Sequence, residues 1–329
     1  MKFTKGAYII LLSFIIVSVL NGCQSKEYKK HLPPPVNIEI SLEEIKKTIE
    51  ELSSPDFAGR RAGSEGEAEA ALFIAQRLKE LNLVPLGENS TYFQAFPLPQ
   101  VDLRSNGKRT EFYLMGGQST LKGDNVLGGL ISRERPEEFI LLSAHYDHLG
   151  TWQDNLYPGA NDNCSGVSVL LELARVLKEE ELPYSIIFSF WSGEEMGLIG
   201  SNHFVNNPTI PLEKIRLNIN LDSVGLGKNK EFLIWTAGPQ DITQEVVSHW
   251  SKWEDFIIKE EYSIEHSSNH KTIAKGQIPA LTILAQDWLI DNHTPHDIPG
   301  KINYEKLKNL TTKIMEYLQS EEIESLLTS

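Results

Sequence analysis

The sequence predicts an α/β fold, a three-layer α/β/α sandwich around a mixed, largely parallel sheet, on two observations. Apolar runs rich in β-branched residues recur at residues 139–144, 184–191, 215–221 and 278–284. Stretches of helical periodicity separate several of them, at residues 166–179, about 243–253 and 304–318. Strands that alternate with helices in this way build a parallel sheet covered on both faces. No linker-like segment divides residues 41–329, which are expected to form a single domain.

Taken in order, the first 22 residues differ from the rest. Lys2 and Lys5 precede an uncharged, largely apolar run of fourteen residues from Ala7 to Leu20. As a helix that run covers only ~21 Å, short of the ~30 Å hydrocarbon core, and the pattern is that of an export signal rather than a permanent span. Leu20-Asn21-Gly22-Cys23 resembles the bacterial lipobox, in which the cysteine is acylated and becomes the new N-terminus. Residues 23–40 then read as a polar tether containing His31-Leu-Pro-Pro-Pro35. The chain is expected to be exported and held to the bacterial cell envelope by lipid at Cys23. Gln24 behind that cysteine favours the outer membrane or the periplasmic face.

Ser41-Leu-Glu-Glu44 is a capping box that opens a helix running to about Leu52. Residues 65–81 carry Ala68, Ala71, Leu72, Ala75 and Leu78 at helical spacing. Scattered Asn and Gly between 105 and 125 mark hairpin turns that feed the first strands. The 329 residues carry 31 Lys plus Arg against 45 Asp plus Glu, a formal charge of −14. This balance argues against a nucleic-acid partner, which requires a basic surface. The two cysteines, Cys23 and Cys164, exclude a disulfide scaffold.

Acids and histidines gather where the apolar runs end. His145-Tyr-Asp147-His148 follows the run at 139–144, and Glu194-Glu195 comes three residues after Trp191. Asp222 follows the run at 215–221, and Asp162-Asn163 precedes the helix at Gly166. Ligands of open parallel sheets bind beyond the carboxyl ends of the strands. One such residue is an ordinary surface histidine or helix cap. Three strands that deliver carboxylate and imidazole to one edge predict a metal site, since buried acids there need a cation or a partner.

These residues resemble metallopeptidase family 28, the co-catalytic di-zinc aminopeptidases of the bacterial leucyl aminopeptidase type. The motifs that carry the resemblance are Ala144-His-Tyr-Asp-His-Leu-Gly150, Pro158-Gly-Ala-Asn-Asp-Asn-Cys-Ser-Gly166, Ser192-Gly-Glu-Glu-Met-Gly-Leu-Ile-Gly-Ser201, Asn220-Leu-Asp222 and His293-Thr-Pro295. The Gly59-Arg60…Gly63 and Asn125-Val126 stretches precede them as in that family, so the likeness runs from about residue 45 to about 315. It implies the zinc-exopeptidase fold and two Zn2+ ions, with manganese or cobalt as alternatives. His145 and Asp222 would hold one ion, Glu195 and His293 the other, and Asp162 would bridge both. Asp147 would orient the His145 imidazole, and Glu194 would act as general base on a zinc-activated water. Asn163 follows the bridging acid where the family often has a cis peptide.

The implied reaction is removal of an N-terminal residue from a peptide with a free N-terminus. Two departures are visible: Asn161 stands where many members have Asp, and Ser267-Ser268-Asn269-His270 has Asn in place of the family's Asp. His270 is expected near the substrate pocket. His148, His203, His266 and His296 read as structural or surface residues, and Cys164 as a packed residue beside the site. Alternatives on the same fold are a glutaminyl cyclase, a carboxypeptidase or dipeptidase that would use Arg60, Arg61 or Arg216 for a substrate carboxylate, and a non-catalytic binding lipoprotein.

Overall fold

A computed structural model describes residues 39–253, 256–260 and 267–328. The export signal, Cys23, the tether as far as residue 38 and His266 lie outside the described residues. Among those described, no helix is long and apolar enough to cross a membrane.

Chain order runs α1 (Leu42–Leu52), α2 (Glu65–Glu80), β1 (Val84–Pro85), β2 (Phe93–Ser105), β3 (Thr110–Leu130), β4 (Arg135–His145), β5 (Gly150–Trp152), β6 (Asn155–Tyr157), α3 (Gly166–Leu177), β7 (Tyr184–Trp191), α4 (Ile199–Asn206), β8 (Ile215–Leu221), β9 (Glu231–Ala237), α5 (Gln240–Trp250), β10 (Ile257–Glu260), α6 (His270–Ile273), β11 (Ala280–Ala285), α7 (Tyr304–Leu318) and α8 (Glu321–Thr328). Nine strands form the main sheet in the order β1-β3-β7-β4-β8-β11-β9-β10, with β2 paired to β3; β5 and β6 make a small separate hairpin. The four central strands β7, β4, β8 and β11 are mutually parallel. Antiparallel pairs flank them, β3 on β7 and β9 on β11. The sheet is therefore mixed around a parallel centre, as the sequence predicts.

Strand side chains alternate between two apolar layers. Ile140, Leu142 and Ala144 of β4 pack with Phe188 and Ile219 against α1, α2, α3, α5 and α7. Phe139 and Leu141 face the opposite side, where Phe204 of α4 and Ile273 of α6 close a smaller layer. The central strands are buried on both faces, which is why their sequences read as continuous apolar runs.

Capping side chains set the starts of three helices, α1, α2 and α7. Ser41 Oγ accepts from the Glu44 amide at 3.2 Å, and Ser64 and Asn303 cap α2 and α7 in the same way. The buried stripe of α2 is Glu67, Ala70, Ala71, Ile74, Ala75 and Leu78; it keeps Ala71, Ala75 and Leu78 of the stripe read from the sequence, whereas Ala68 and Leu72 face solvent. Glu67 turns inward because its carboxylate is fully partnered. It accepts from Tyr146 Oη and from the amides of Gly63 and Asp124. The strand β9 and the short helices α4 and α6 carry no periodic signal long enough to identify alone.

Arg60 ties this scaffold to the functional edge of the sheet. Its guanidinium is fully buried and donates to the carbonyls of Tyr146 (2.8 Å), Leu52 (2.7 Å), Pro158 (2.8 Å) and Gly159 (3.1 Å). One side chain thus joins the end of α1, the end of β4 and the loop before α3. Arg60→Met is expected to strand four buried carbonyls and to cost about 3 kcal/mol or more. Arg60→Lys should recover little of it, because an ammonium cannot present the same planar fork. Urea denaturation followed by circular dichroism measures both.

Candidate metal centre

Every candidate ligand except Asp162 sits at the carboxyl end of a central strand or in the loop that follows it. His145 is the last residue of β4, Asp222 follows the last residue of β8, and His293 lies in the loop after β11. Glu194 and Glu195 stand in the turn after β7. His145 pairs across with Trp191 and Ser143 with Asn220, so these strand ends lie level. Asp162 is carried by the irregular turn at Ala160–Ser165 that leads into α3, and its peptide bond to Asn163 is cis. Gly159 enters that turn at φ +58; a side chain there would collide with the Asp162 carbonyl and the His148 ring.

The Asp162 carboxylate is divided between two imidazoles. Its Oδ1 lies 3.2 Å from His145 Nε2 and its Oδ2 3.2 Å from His293 Nε2. Asp222 Oδ1 is 3.5 Å from the same His145 nitrogen, and Glu195 Oε2 is 2.9 Å from the same His293 nitrogen. Two donor sets share one carboxylate: His145 with Asp222, and His293 with Glu195. Glu194 belongs to the first set, where its carboxylate falls within 4.8 Å of donor atoms of His145 and Asp222.

The second sphere fixes which nitrogen is free to bind. His145 Nδ1 donates to the main-chain oxygen of Asp147 at 3.2 Å, which leaves Nε2 to face the carboxylates. The Asp147 carboxylate itself stands 3.8 Å from His145 Nδ1. Its direct hydrogen bonds come from the amides of Glu194 (3.1 Å) and Glu195 (3.4 Å). Asp147 therefore orients the glutamate turn as well as lying against the imidazole, a second task that the sequence does not announce.

Burial would push the His145 imidazole down, but Glu194, Asp162 and Asp222 hold it well above the ordinary range. His293 is raised likewise, by Glu195 and Asp162 against the effect of burial. Asp162, which burial alone would raise, is pulled well below the usual carboxylate range by hydrogen bonds from both imidazoles. Glu194 moves the other way, well above it, because burial and the nearby Glu195, Asp222 and Asp147 carboxylates outweigh His145. Burial also pushes Asp147 up to about 7. Five carboxylates around three histidines make a buried excess of negative charge that bound cations would neutralise. The donors are nitrogen and oxygen only, which fits zinc.

Three further residues were not singled out by sequence. His148, read as structural or surface, is buried, and its Nδ1 lies 2.8 Å from Glu195 Oε1. It steadies the carboxylate whose other oxygen faces His293. Asn292 donates to Asp162 Oδ2 at 2.6 Å. Asp297 accepts from the amides of Asn161 and Asp162 at 2.8 and 3.0 Å and so holds the turn that carries the bridge. The only sequence signal for Asp297 is its position four residues after His293. Asn161, at the position of the family's commoner Asp, accepts from the Gly225 amide at 2.7 Å.

His270 lies near the cleft without lining it: it is buried behind Trp235, which does line it, with Nδ1 2.7 Å from Thr282 Oγ1. Burial drives it down to about 3, so it is neutral and structural. Arg60 and Arg216 are also away from the cleft: Arg60 is the buried clamp, and Arg216 pairs with Glu138 near the start of β8. Cys164 is buried beneath the site, and burial raises its thiol to about 11, so no nucleophile is available there. The cleft above the ligands encloses about 310 Å³. Phe112, Leu198, Trp235, Leu284 and Trp288 form its apolar wall.

A family profile for peptidase family M28 matches residues 125–318, which includes every ligand described above. The chain belongs to peptidase family M28. Among individual proteins, it is 42% identical over 94 residues to aminopeptidase YwaD of Bacillus subtilis, covering 28% of this chain and 20% of that one. It is 38% identical over 96 residues to an aminopeptidase of Pseudomonas aeruginosa, covering 28% and 17%. The chain thus matches about a fifth of the length of these relatives. A solved zinc aminopeptidase from Bacillus subtilis shares the fold at a TM-score of 0.66 and 19% identity, over 84% of this chain and 94% of that one. A leucine aminopeptidase precursor from Bacteroides thetaiotaomicron does so at 0.65 and 21%, over 85% and 97%.

Ligation requires neutral imidazole, and the surrounding acids raise both His145 and His293. Protons therefore compete with the metal below their raised values, and affinity is expected to climb as pH rises from about 6 to 8. Calorimetric zinc titration of the apo-protein in two buffers of different ionisation enthalpy should show net proton release on binding. Affinity that does not change across that range would show that these histidines are not ligands.

Proposed function

We propose that the protein is a zinc-dependent aminopeptidase that removes N-terminal residues from peptides. The observation that carries this reading is the Asp162 carboxylate divided between His145 and His293, each with its own second carboxylate. That arrangement supports two cations, held by His145 with Asp222 and by His293 with Glu195. When bound, a zinc pair supplies Lewis acidity toward the attacking water and the scissile carbonyl.

The chain's own residues supply the rest. Glu194 stands among buried acids that raise its proton affinity, so it can take a proton from water and return it to the leaving amine. Asp147, bound to the Glu194 and Glu195 amides, keeps base and ligand on their separate sides. The apolar wall of the cleft supports recognition of an apolar side chain at the cleaved residue. A complete second donor set at Glu195 and His293 favours hydrolysis over cyclisation with one metal. The convergence of all the donors favours catalysis over a purely binding role.

Hydrolysis of leucyl-nitroanilide, with no hydrolysis of its N-acetylated form, would establish the exopeptidase reading. Chelation should abolish the activity and zinc restore it. Glu194→Gln is expected to keep the fold and both metals, since amide and carboxylate are nearly isosteric, and to lose at least ~100-fold in turnover. Glu195→Gln should instead lose metal, because an amide oxygen is a poorer donor to a cation. Metal stoichiometry and turnover measured on the same two preparations decide it. Near-normal turnover in Glu194→Gln, or metal loss from it alone, would reverse the assignment.

We further propose that the protein is exported and anchored to the cell envelope by acylation of Cys23. Support comes from the short apolar run that ends in Leu20-Asn21-Gly22-Cys23 and from the Pro-rich stretch behind it. A palmitate analogue should label wild type in cells and not Cys23→Ala. Equal labelling of both would refute the anchor.

A further inference from the structure

The cleft contains one charged group that the proposed hydrolysis leaves unused. Among the described residues, Arg109 is the only Lys or Arg side chain that lines it; the other charged lining groups are the ligand histidines and the acids Glu111, Asp162, Glu194, Glu195 and Asp222. Arg109 was not among the arginines that the sequence offered for a substrate carboxylate.

Its backbone is fixed from both sides. In the β2–β3 turn, Asn106 Oδ1 accepts from the amides of Lys108 (2.9 Å) and Arg109 (3.0 Å). The next amide, Thr110 N, donates to the carbonyl of the ligand residue His293 at 3.1 Å. Thr110 turns its hydroxyl inward to Tyr157 Oη at 2.9 Å, in a buried contact. Side chains on an extended backbone alternate, so Arg109 and Glu111 both face the other way, into the cleft. Glu111 accepts from Nε of Arg109. The two Nη groups have no protein partner among the described residues, and they are the edge that pairs bidentately with a carboxylate. Glu111 thus orients the guanidinium while leaving its binding edge outward. The pair is about a quarter to a third exposed, so redirecting it toward a ligand costs little.

We propose that Arg109 receives the terminal carboxylate of a short peptide, so that the enzyme prefers dipeptides and tripeptides to long chains. This rests on the aminopeptidase reading above and deepens it. An extended residue spans at most ~3.3–3.6 Å. Arg109 lines the same cleft as the ligands and is one residue from the peptide plane joined to His293, which is the basis for placing the carboxylate one or two residues beyond the scissile bond. In a cleft otherwise lined by acids, a substrate carboxylate is tolerated only beside such a cation.

The test uses zinc-loaded wild type, Arg109→Gln and Arg109→Lys on Leu-Gly, Leu-Gly amide, Leu-Glu amide and leucyl-nitroanilide. Wild type should favour Leu-Gly over its amide by at least about tenfold in kcat/KM, carried mainly by KM. Arg109→Gln should bring that ratio to about one, and Arg109→Lys should keep part of it. The ratio cancels any loss common to both substrates. Calorimetric affinities of Leu-Gly and its amide for Glu194→Gln, with and without Arg109→Gln, should show the same loss of preference without turnover. An acid-to-amide ratio near one in wild type, or an unchanged ratio in Arg109→Gln, would overturn the proposal. So would Leu-Glu amide matching Leu-Gly, which would make Arg109 a reader of acidic side chains. Hydrolysis of none of the substrates, nitroanilide included, would remove the aminopeptidase reading and this inference with it.

Discussion

The structure depends on a buried carboxylate, Asp162, placed between two imidazoles. Isolated in the interior such a group would be strongly destabilising, and around it the chain collects Glu194, Glu195, Asp222 and Asp147. Charge of one sign can be gathered at one point only if imidazolium or metal offsets it, and only if the backbone carrying it cannot relax away. Much of the surrounding architecture serves that second condition. Asp297 grips the turn through two amides, Asn292 holds Oδ2 from the side, and Arg60 anchors Pro158 and Gly159 at the turn's entrance.

The parallel centre of the sheet makes the convergence possible. Parallel strands end on the same edge, so β4, β7, β8 and β11 bring the residues at and after their ends to one place, and the chain beyond the β5–β6 hairpin adds Asp162. The loops there take backbone conformations that ordinary turns avoid. His293 has φ 57 and Leu198 φ 61, both in the left-handed region, and both residues line the cleft. Strain of this kind persists where packing and hydrogen bonds over-determine the geometry. The Thr110 amide on the His293 carbonyl is one such restraint.

On one face of the sheet, polar groups in register support the strand ends beneath the ligands. Asn220 donates to Ser268 and Thr282, Ser143 to Asn220, and Thr282 meets His270. These buried groups satisfy one another in a connected network, which rigidifies the strand ends more than apolar contacts alone would. His270, which by its motif resembled a pocket residue, belongs to this layer. Its neutral ring stiffens the floor on which Trp235 stands.

The sequence by itself determined the fold class and the ligand types, because both are written in short-range pattern. Continuous apolar runs mean strands buried on two faces, and an acid or histidine directly behind such a run must emerge at the sheet edge. The helices α1, α3 and α7 were legible for the same reason, α1 through its capping box and α3 and α7 through periodicity, both of which involve only near neighbours. What only the tertiary structure decided is every relation between residues far apart in the chain. The split of Asp162 between His145 and His293, the burial of His148 against Glu195 and the grip of Asp297 on Asn161 depend on loops that meet only after the sheet has formed. Arg109 shows this most plainly. In the sequence it is one basic residue in a polar turn, and only the folding of the β2–β3 hairpin onto the His293 loop puts it in the cleft.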